Sequence, residues 1–398
     1  MSASAPIRVL HLSAADSMLY PILRDQLVFL RNLGYDIHTA SIDGPLARRL
    51  RDEDKFPWSP LPLTREVAPW RDWKSLRYVE KFCRDGKFEI VHTHTPKGNL
   101  IGQWAARRAG VPIVLQTLHG FYFHERMRAP LRRLWVAIER FSAQHSDHVL
   151  CQNPEDVETA KKEHIAGPEL ISLLGNGIDL ARFKPRLLSD MHRDEYRKKL
   201  GIPEEAEVVG MCGRFVAEKG YPEFFKAAGQ LLARFPTLHL LVVGHKLESE
   251  RVRGRFDPRD AGVPKERMTL LFDRDDMAEL YACMDIHVLP SHREGFPRAL
   301  MEGAASGLAQ IATNIRGCRQ CLEEGVTGFF VEVGDVAALA ARLDALMTDP
   351  GLRERFGRAA RLKAEKEFDQ QMVFKRVAAC YEKLIAAKLP GRQAPRAP

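Results

Sequence analysis

The chain's strongest constraint is a rhythm that runs through it twice. Short apolar or β-branched runs, "IRVLHLS", "YDIHTASI", "FEIVHTHT", "PIVLQTLH", "DHVLCQN" and "LISLLGNG", alternate with stretches long enough to be helices. Strands that alternate with helices pair in parallel, because a parallel pair needs a long crossover and a helix provides one. A second series follows, "EVVGMCGRF", "LHLLVVGH", "MTLLF", "IHVLPS", "AQIATNI" and "GFFVEV", again interleaved with helical segments such as "VAALAARLDALM". The expectation is an α/β protein with two doubly wound, Rossmann-like domains facing across a cleft, and 398 residues are enough for two cores. The polar stretch "KPRLLSDMHRDEYRKKLGIPEEAE" places the divide near residue 190, giving domains 1–190 and 191–370. A helix over 371–390 is expected to pack back on the first domain, and the Pro-rich basic tail 391–398 is expected to be disordered. Ligands in open α/β sheets sit at the carboxyl ends of the strands, so chemistry is sought there.

The composition, 45% hydrophobic and 28% charged, is that of a globular protein, and no apolar run reaches the roughly 18 residues of a membrane span. The opening "MSASAPIRVL" carries no secretion signal, so a cytoplasmic location is expected. Seven scattered cysteines do not form a disulfide framework, and the one C-x-x-C, Cys318 and Cys321, lacks a second pair at zinc spacing. A net charge of +8 and a pI near 9.1 favour acidic partners, yet no zinc-finger, helix-turn-helix or RNA-binding pattern accompanies the cations, so nucleic acid is not expected.

Two strand ends carry suggestive residues. In "GMCGRFVAEKGYPEFF", Gly213 and Gly220 bracket Arg214 and Lys219 just before a helix with Pro222 as its first residue. Such a loop can hold a diphosphate, although it is neither a Walker loop nor G-x-G-x-x-G, and two solvated surface charges would look the same. In "IHVLPSHREGFPRALMEG", Glu294 falls in the loop after the strand, Pro297 is expected as first helical residue, and Glu302 lies in the helix. Each glutamate could merely complement the helix dipole; two carboxylates beside a diphosphate site suit sugar hydroxyls better. His119 ends a strand in "VLQTLHGFYFH" and is open to a structural or a catalytic reading. His92 and His94 raise the thought of a metal but, without a third ligand, are read as structural; no metal or other cofactor is expected. The "DRD" at 273–275 is read as leading to a helix N-cap at Asp275 or Asp276. Leu131, Leu134, Trp135 and Ile138 form a helical stripe read as core packing, with seating on anionic lipid as the alternative.

Taken together, these residues resemble the retaining glycosyltransferases of family 4, which have the two-domain fold called GT-B. The resemblance covers nearly the whole chain and rests on Glu294 and Glu302 in E-x7-E, "GRFVAEKG", "TLHGF", "LLGNGIDLARFKP" and "VTGFFVEVGD". Within the family, "VHTHTPKGNLIGQWAARRAGVPIVLQTLHGFYFH" and "TNIRGCRQCLEEGVTG" are similar to bacterial enzymes that extend polyprenyl-diphosphate-linked saccharides for surface polysaccharides or protein glycans.

The resemblance implies a nucleotide-sugar donor, usually a UDP-sugar, and a lipid-linked saccharide acceptor, with transfer that is retaining and metal-independent. By the same resemblance Gly213, Arg214 and Lys219 hold the diphosphate, Glu302 binds the ribose, Glu294 with Gly295, Phe296 and Pro297 holds the transferred sugar, and His119 lies beside the reacting bond. Peripheral attachment to the inner face of the cytoplasmic membrane is an accompanying hypothesis. Departures fall at "SAADSMLYPI", where many members have a glycine-rich loop, at Phe272, and at Arg319-Gln320. The rival readings are a sugar-nucleotide 2-epimerase on the same architecture and a nucleotide-sugar-binding or membrane scaffold without turnover.

Overall fold

A computed structural model describes residues 5–64, 68–124, 127–185, 189–244 and 257–395. The chain forms two compact units, Met1–Gly175 with Gln371–Pro398, and Asn176–Gln370. In the first, seven parallel strands run β1 (Arg8–Ser13), β2 (Asp36–Ser41), β3 (Trp58–Pro60), β4 (Ile90–His94), β5 (Ile113–Leu118), β6 (His148–Cys151) and β7 (Ile171–Leu173), ordered β3-β2-β1-β4-β5-β6-β7. The second holds β8 (Glu207–Cys212), β9 (Leu238–Gly244), β10 (Met268–Phe272), β11 (Ile286–Leu289), β12 (Ala309–Thr313) and β13 (Gly328–Val331), ordered β10-β9-β8-β11-β12-β13. Two α/β units, each on a parallel sheet, are the expected GT-B architecture.

Both faces of the central strands are covered, so β4, β5, β11 and β12 are buried along their whole length, which is why they read as near-continuous apolar runs. Alternation still sorts their side chains. On β1, Leu10 and Leu12 face a core with Leu76, Val79, Ile101 and Ala105, whereas Val9 faces one with Leu27, Val377, Tyr381 and Leu384. The latter core includes the helix Gln370–Lys388, whose Phe374 and Tyr381 rings meet Phe29 and Tyr35 at 5.6 Å.

Several local expectations need correction. The three-residue edge strand β3 was not expected; it is too short for a pattern and includes a proline, which an edge tolerates. Pro297 precedes the helix Arg298–Ala305 rather than opening it, and Pro222 is second in the helix Tyr221–Leu231. In the tail, residues 391–395 are placed, with Arg392 2.9 Å from Glu89; 396–398 lie outside the described residues. The stripe on helix Ala129–Ala143 is not core: Leu131 and Leu134 are 46% and 55% exposed, and the helix buries Val136, Glu139, Ser142 and Ala143 instead.

Candidate active site

In the second sheet the strand order reverses between β8 and β11, and the loops leaving these neighbours diverge to open a crevice at their carboxyl ends. Those two loops, 213–220 and 290–297, contain every candidate of this unit except Glu302. They are locked to one another by backbone. Gly220 has a left-handed φ of 82°, and a Cβ there would lie 2.1 Å from the Pro290 carbonyl oxygen, so only glycine fits. The His292 N–H donates to the Glu218 carbonyl at 2.8 Å, Arg293 pairs with Glu218 at 2.8 Å, and His292 meets Glu223 at 2.8 Å.

This lock delivers Lys219 Nζ to Glu294 Oε1 at 2.6 Å, and Ser291 Oγ donates to the same oxygen at 2.7 Å. The lysine expected to face a diphosphate and the carboxylate expected to face a sugar are therefore direct partners. Arg214, on the same loop as Lys219, is exposed. Gly213 is unlike Gly220: a Cβ there would meet nothing nearer than 3.7 Å, so the protein's own packing does not require glycine. Gly295 is crossed closely by Gly317, whose Cβ position lies 2.3 Å from the Gly295 oxygen, and the Phe296 carbonyl accepts from Asn176 Nδ2 at 3.1 Å.

Glu302 has a different set of partners. It sits one turn after Arg298, 3.6 Å away, and its carboxyl pKa is raised by burial while Arg298, Tyr281 and Arg182 oppose the rise. Arg298 is itself anchored to the Gly177 carbonyl at 3.2 Å. The DRD segment makes a local clamp: Asp276 stands at the N-cap position, but its carboxylate is engaged by Arg274 and the Tyr196 hydroxyl rather than by the helix backbone.

The first sheet reverses between β1 and β4, and here the polar groups are imidazoles. The register places His11 opposite His92, and His94 two residues on faces the same way. His119 Nε2 lies 3.1 Å from His94 Nδ1, His94 Nε2 lies 3.1 Å from His11 Nδ1, and His11 Nε2 lies 3.2 Å from the Tyr381 hydroxyl. The same hydroxyl is 2.8 Å from His92 Nδ1, and His92 Nε2 is 2.8 Å from Thr117 Oγ1. His11, His92 and His94 are fully buried, and burial holds all three rings well below the ordinary imidazole pKa, His11 at about 3. His119 keeps some exposure, yet packing round its ring lowers its pKa to about 4, opposed by a hydrogen bond to Gln152. His11, His92 and His94 could together offer a metal three nitrogens. Each ring nitrogen already has a partner, however, so an ion would have to displace the network.

The sequence pointed to His119, Lys219, Glu294 and Glu302 but missed His11, Tyr381, Ser291, Arg298, Asn176 and Gly317. His11 could have been found by aligning the first and third apolar runs as neighbours; Tyr381 leaves no local signal, because its helix reaches the cluster only through tertiary packing.

Residues 192–363 match the family described as glycosyl transferases group 1, and residues 22–177 match the glycosyl transferase 4-like domain. An Escherichia coli enzyme named UDP-Gal:alpha-D-GlcNAc-diphosphoundecaprenol alpha-1,3-galactosyltransferase is 32% identical over 310 residues, 77% of this chain and 79% of that one. The capsular polysaccharide biosynthesis glycosyltransferase CapM of Staphylococcus aureus is 28% identical over 95% of this chain and 97% of its own. Among solved structures, Anabaena Alr3699/HepE in complex with UDP and glucose superposes with a TM-score of 0.78 at 19% identity, covering 95% of this chain and 100% of that one.

Proposed function

Since the chain belongs to the group 1 glycosyltransferases of the family 4 type, we propose that it moves a hexose or N-acetylhexosamine from a UDP-sugar to a polyprenyl-diphosphate-linked saccharide, with retention at the anomeric carbon. The observation that carries this reading is the Lys219–Glu294 pair at the topological switch of the second sheet. A cation and an acid that touch suit a ligand whose negative phosphates adjoin a hydroxylated ring. The E. coli relative's name supplies the class of donor and acceptor.

In this reading Arg214 and Lys219 neutralise the diphosphate, aided by the N-terminal ends of helices Tyr221–Leu231 and Arg298–Ala305. The open space at Gly213 admits the phosphates to the backbone. As the bond from the sugar to the diphosphate breaks, negative charge grows on the leaving oxygen and positive charge on the anomeric carbon. Fixed cations stabilise the former in the role a metal plays elsewhere. The acceptor hydroxyl then attacks the face the diphosphate leaves, passing its proton to a departing phosphate oxygen. Glu294 with the Gly295-Phe296-Pro297 backbone holds the sugar's hydroxyls, Glu302 the ribose hydroxyls, and His119 the sugar beside the reacting bond.

The test is titration calorimetry with UDP, GDP and UDP-sugars in EDTA on the native protein and on Arg214→Ala and Glu302→Ala. Micromolar UDP binding that both variants lose supports the donor site; no nucleotide binding by the native protein rejects it. Turnover of a UDP-sugar without acceptor would favour the epimerase. The anomeric coupling constant of the product distinguishes retention from inversion.

Peripheral membrane attachment belongs to the same proposal. Helix Pro69–Gly86 exposes Trp70, Trp73 and Tyr78 at 70%, 53% and 47% beside Lys74, Arg77 and Lys81, all on one helical face. Helix Ala129–Ala143 adds Leu131 and Leu134 with Arg133, and both helices pack on Pro96–Arg108. Interfacial aromatics with cations suit an anionic bilayer surface, and among the described residues no helix is long and apolar enough to cross a membrane. Binding to anionic but not neutral liposomes, weakened by salt and by Trp70→Ala/Trp73→Ala, supports this; absence of binding at low salt rejects it.

A further inference from the structure

The imidazole cluster forms an unbranched series, Thr117, His92, Tyr381, His11, His94, His119, in which each neighbouring pair is joined through one contact of 2.8–3.2 Å. A neutral imidazole carries one N–H and one acceptor nitrogen, and which nitrogen holds the proton is set by the bond the other makes. In such a series the choice at one end dictates every other, because a reversed link would set two lone pairs or two protons face to face. A buried, unmatched polar contact is costly, so the series adopts one polarity throughout.

The end at His119 supplies the choice. Its bond to Gln152 favours the protonated ring, and a bond of that kind is one the imidazole donates. With Nε2 engaged by His94, the donating nitrogen is Nδ1. His119 Nε2 must then accept from His94 Nδ1–H, His94 Nε2 from His11 Nδ1–H, and His11 Nε2 from the Tyr381 hydroxyl. The Tyr381 oxygen in turn accepts from His92 Nδ1–H, and His92 Nε2 accepts from Thr117 Oγ1–H. Every group in the series is satisfied, with no proton in excess.

We propose that His94, His11 and Tyr381 are positioning residues that hold His119 as a neutral Nδ1–H imidazole, so that it offers the donor sugar a hydrogen-bond donor and not a base. Gln152 occupies that N–H in the free protein, and a sugar hydroxyl oxygen takes its place when donor binds. Tyr381 sets the tautomer at the far side of two rings. The role at the sugar rests on the functional reading above; the tautomer does not.

The test is long-range 1H–15N correlation spectroscopy of the intact protein labelled at histidine, without substrate, together with kcat and KM for Tyr381→Phe. Phenylalanine keeps the ring and its packing and removes only the hydroxyl that orients the series. The native spectrum is expected to show His119 with pyrrole-type Nδ1 and pyridine-type Nε2, and Tyr381→Phe is expected to mix the tautomers. It is also expected to lower kcat about tenfold, the worth of roughly one hydrogen bond, with little change in acceptor KM. A native His119 protonated at Nε2, or a His119 signal that Tyr381→Phe leaves unmoved, overturns the proposal. So does stoichiometric zinc uptake that shifts His11, His92 and His94 together, since the rings would then be metal ligands. The native spectrum decides even if the variant does not fold, and it needs no nucleotide, so a failed donor reading remains distinguishable.

Discussion

The two sheets share the order 3-2-1-4-5-6 and place polar groups at the same topological position, yet those groups follow opposite electrostatic plans. At the β1/β4 reversal four imidazoles and a phenol are neutral and joined in one closed series. At the β8/β11 reversal the groups are ions, with Lys219 held by Glu294 and Arg214 exposed. A neutral network suits a buried place because it needs no counter-charge, and it fixes orientation. An ion pair at a partly open loop can exchange partners, and a diphosphate competes well for a lysine. One unit orients, the other responds.

The largest effect is expected at the backbone lock that keeps the ionic site in register. Gly220→Ala should cost about 3 kcal/mol of stability, because a left-handed φ and an overlap with the Pro290 oxygen must both be relieved. Denaturant unfolding reads this directly, and an unchanged midpoint would mean that the two loops are not rigidly joined.

Next comes the ionic pair itself. Lys219→Met is expected to weaken UDP binding roughly 10- to 100-fold while barely moving the melting temperature, since Ser291 still serves Glu294. A large loss of stability with intact affinity would make the pair structural and erase the contrast between the units.

Acid sharpens the comparison from the other side. His11 and His119 in the folded chain have pKa values of about 3 and 4, below the ordinary 6.5, so the unfolded chain takes up protons first as pH falls. Stability should therefore decline from about pH 6.5 downward, by about 1.4 kcal/mol per pH unit for each such ring, and level off below the folded values. Urea midpoints at pH 7.5 and 5.0 check it; equal midpoints would mean that the cluster accepts a proton without penalty.

The smallest change in stability is expected at Gly213→Ala, under about 1 kcal/mol, because the new methyl meets only ordinary contacts. Its interest lies in binding: if phosphates approach that backbone, UDP affinity falls although the fold does not. Retained affinity would move the diphosphate elsewhere.

Much of this was legible in the chain because parallel strands buried on both faces announce themselves as apolar runs, and all six strands of the second sheet appear in that way. The ionic site was legible too, since Gly-Arg, Lys-Gly and Glu-Gly-Phe-Pro sit together at strand ends where loop chemistry is local. The imidazole series was not. His92 and His94 look like two stray residues until β1 is laid beside β4 and His11 comes into line. Tyr381 lies 289 positions from His92, and no spacing rule spans that distance. Local reading also misjudged Leu131 and Leu134, because a helical stripe says which residues share a face and not whether anything covers it.

The return of helix Gln370–Lys388 to the first unit imposes an order on biosynthesis. Translation delivers β1 to β7 early, but the core that holds Leu27, Leu30 and Tyr35 stays open until Val377, Tyr381 and Ile385 leave the ribosome. The first half of the polypeptide is thus the last to be finished, after the whole of the second unit has been made. Any chimera that exchanges halves with a relative must therefore carry two pieces of chain for the first unit, its amino-terminal body and its distant closing helix, or leave that core unsealed.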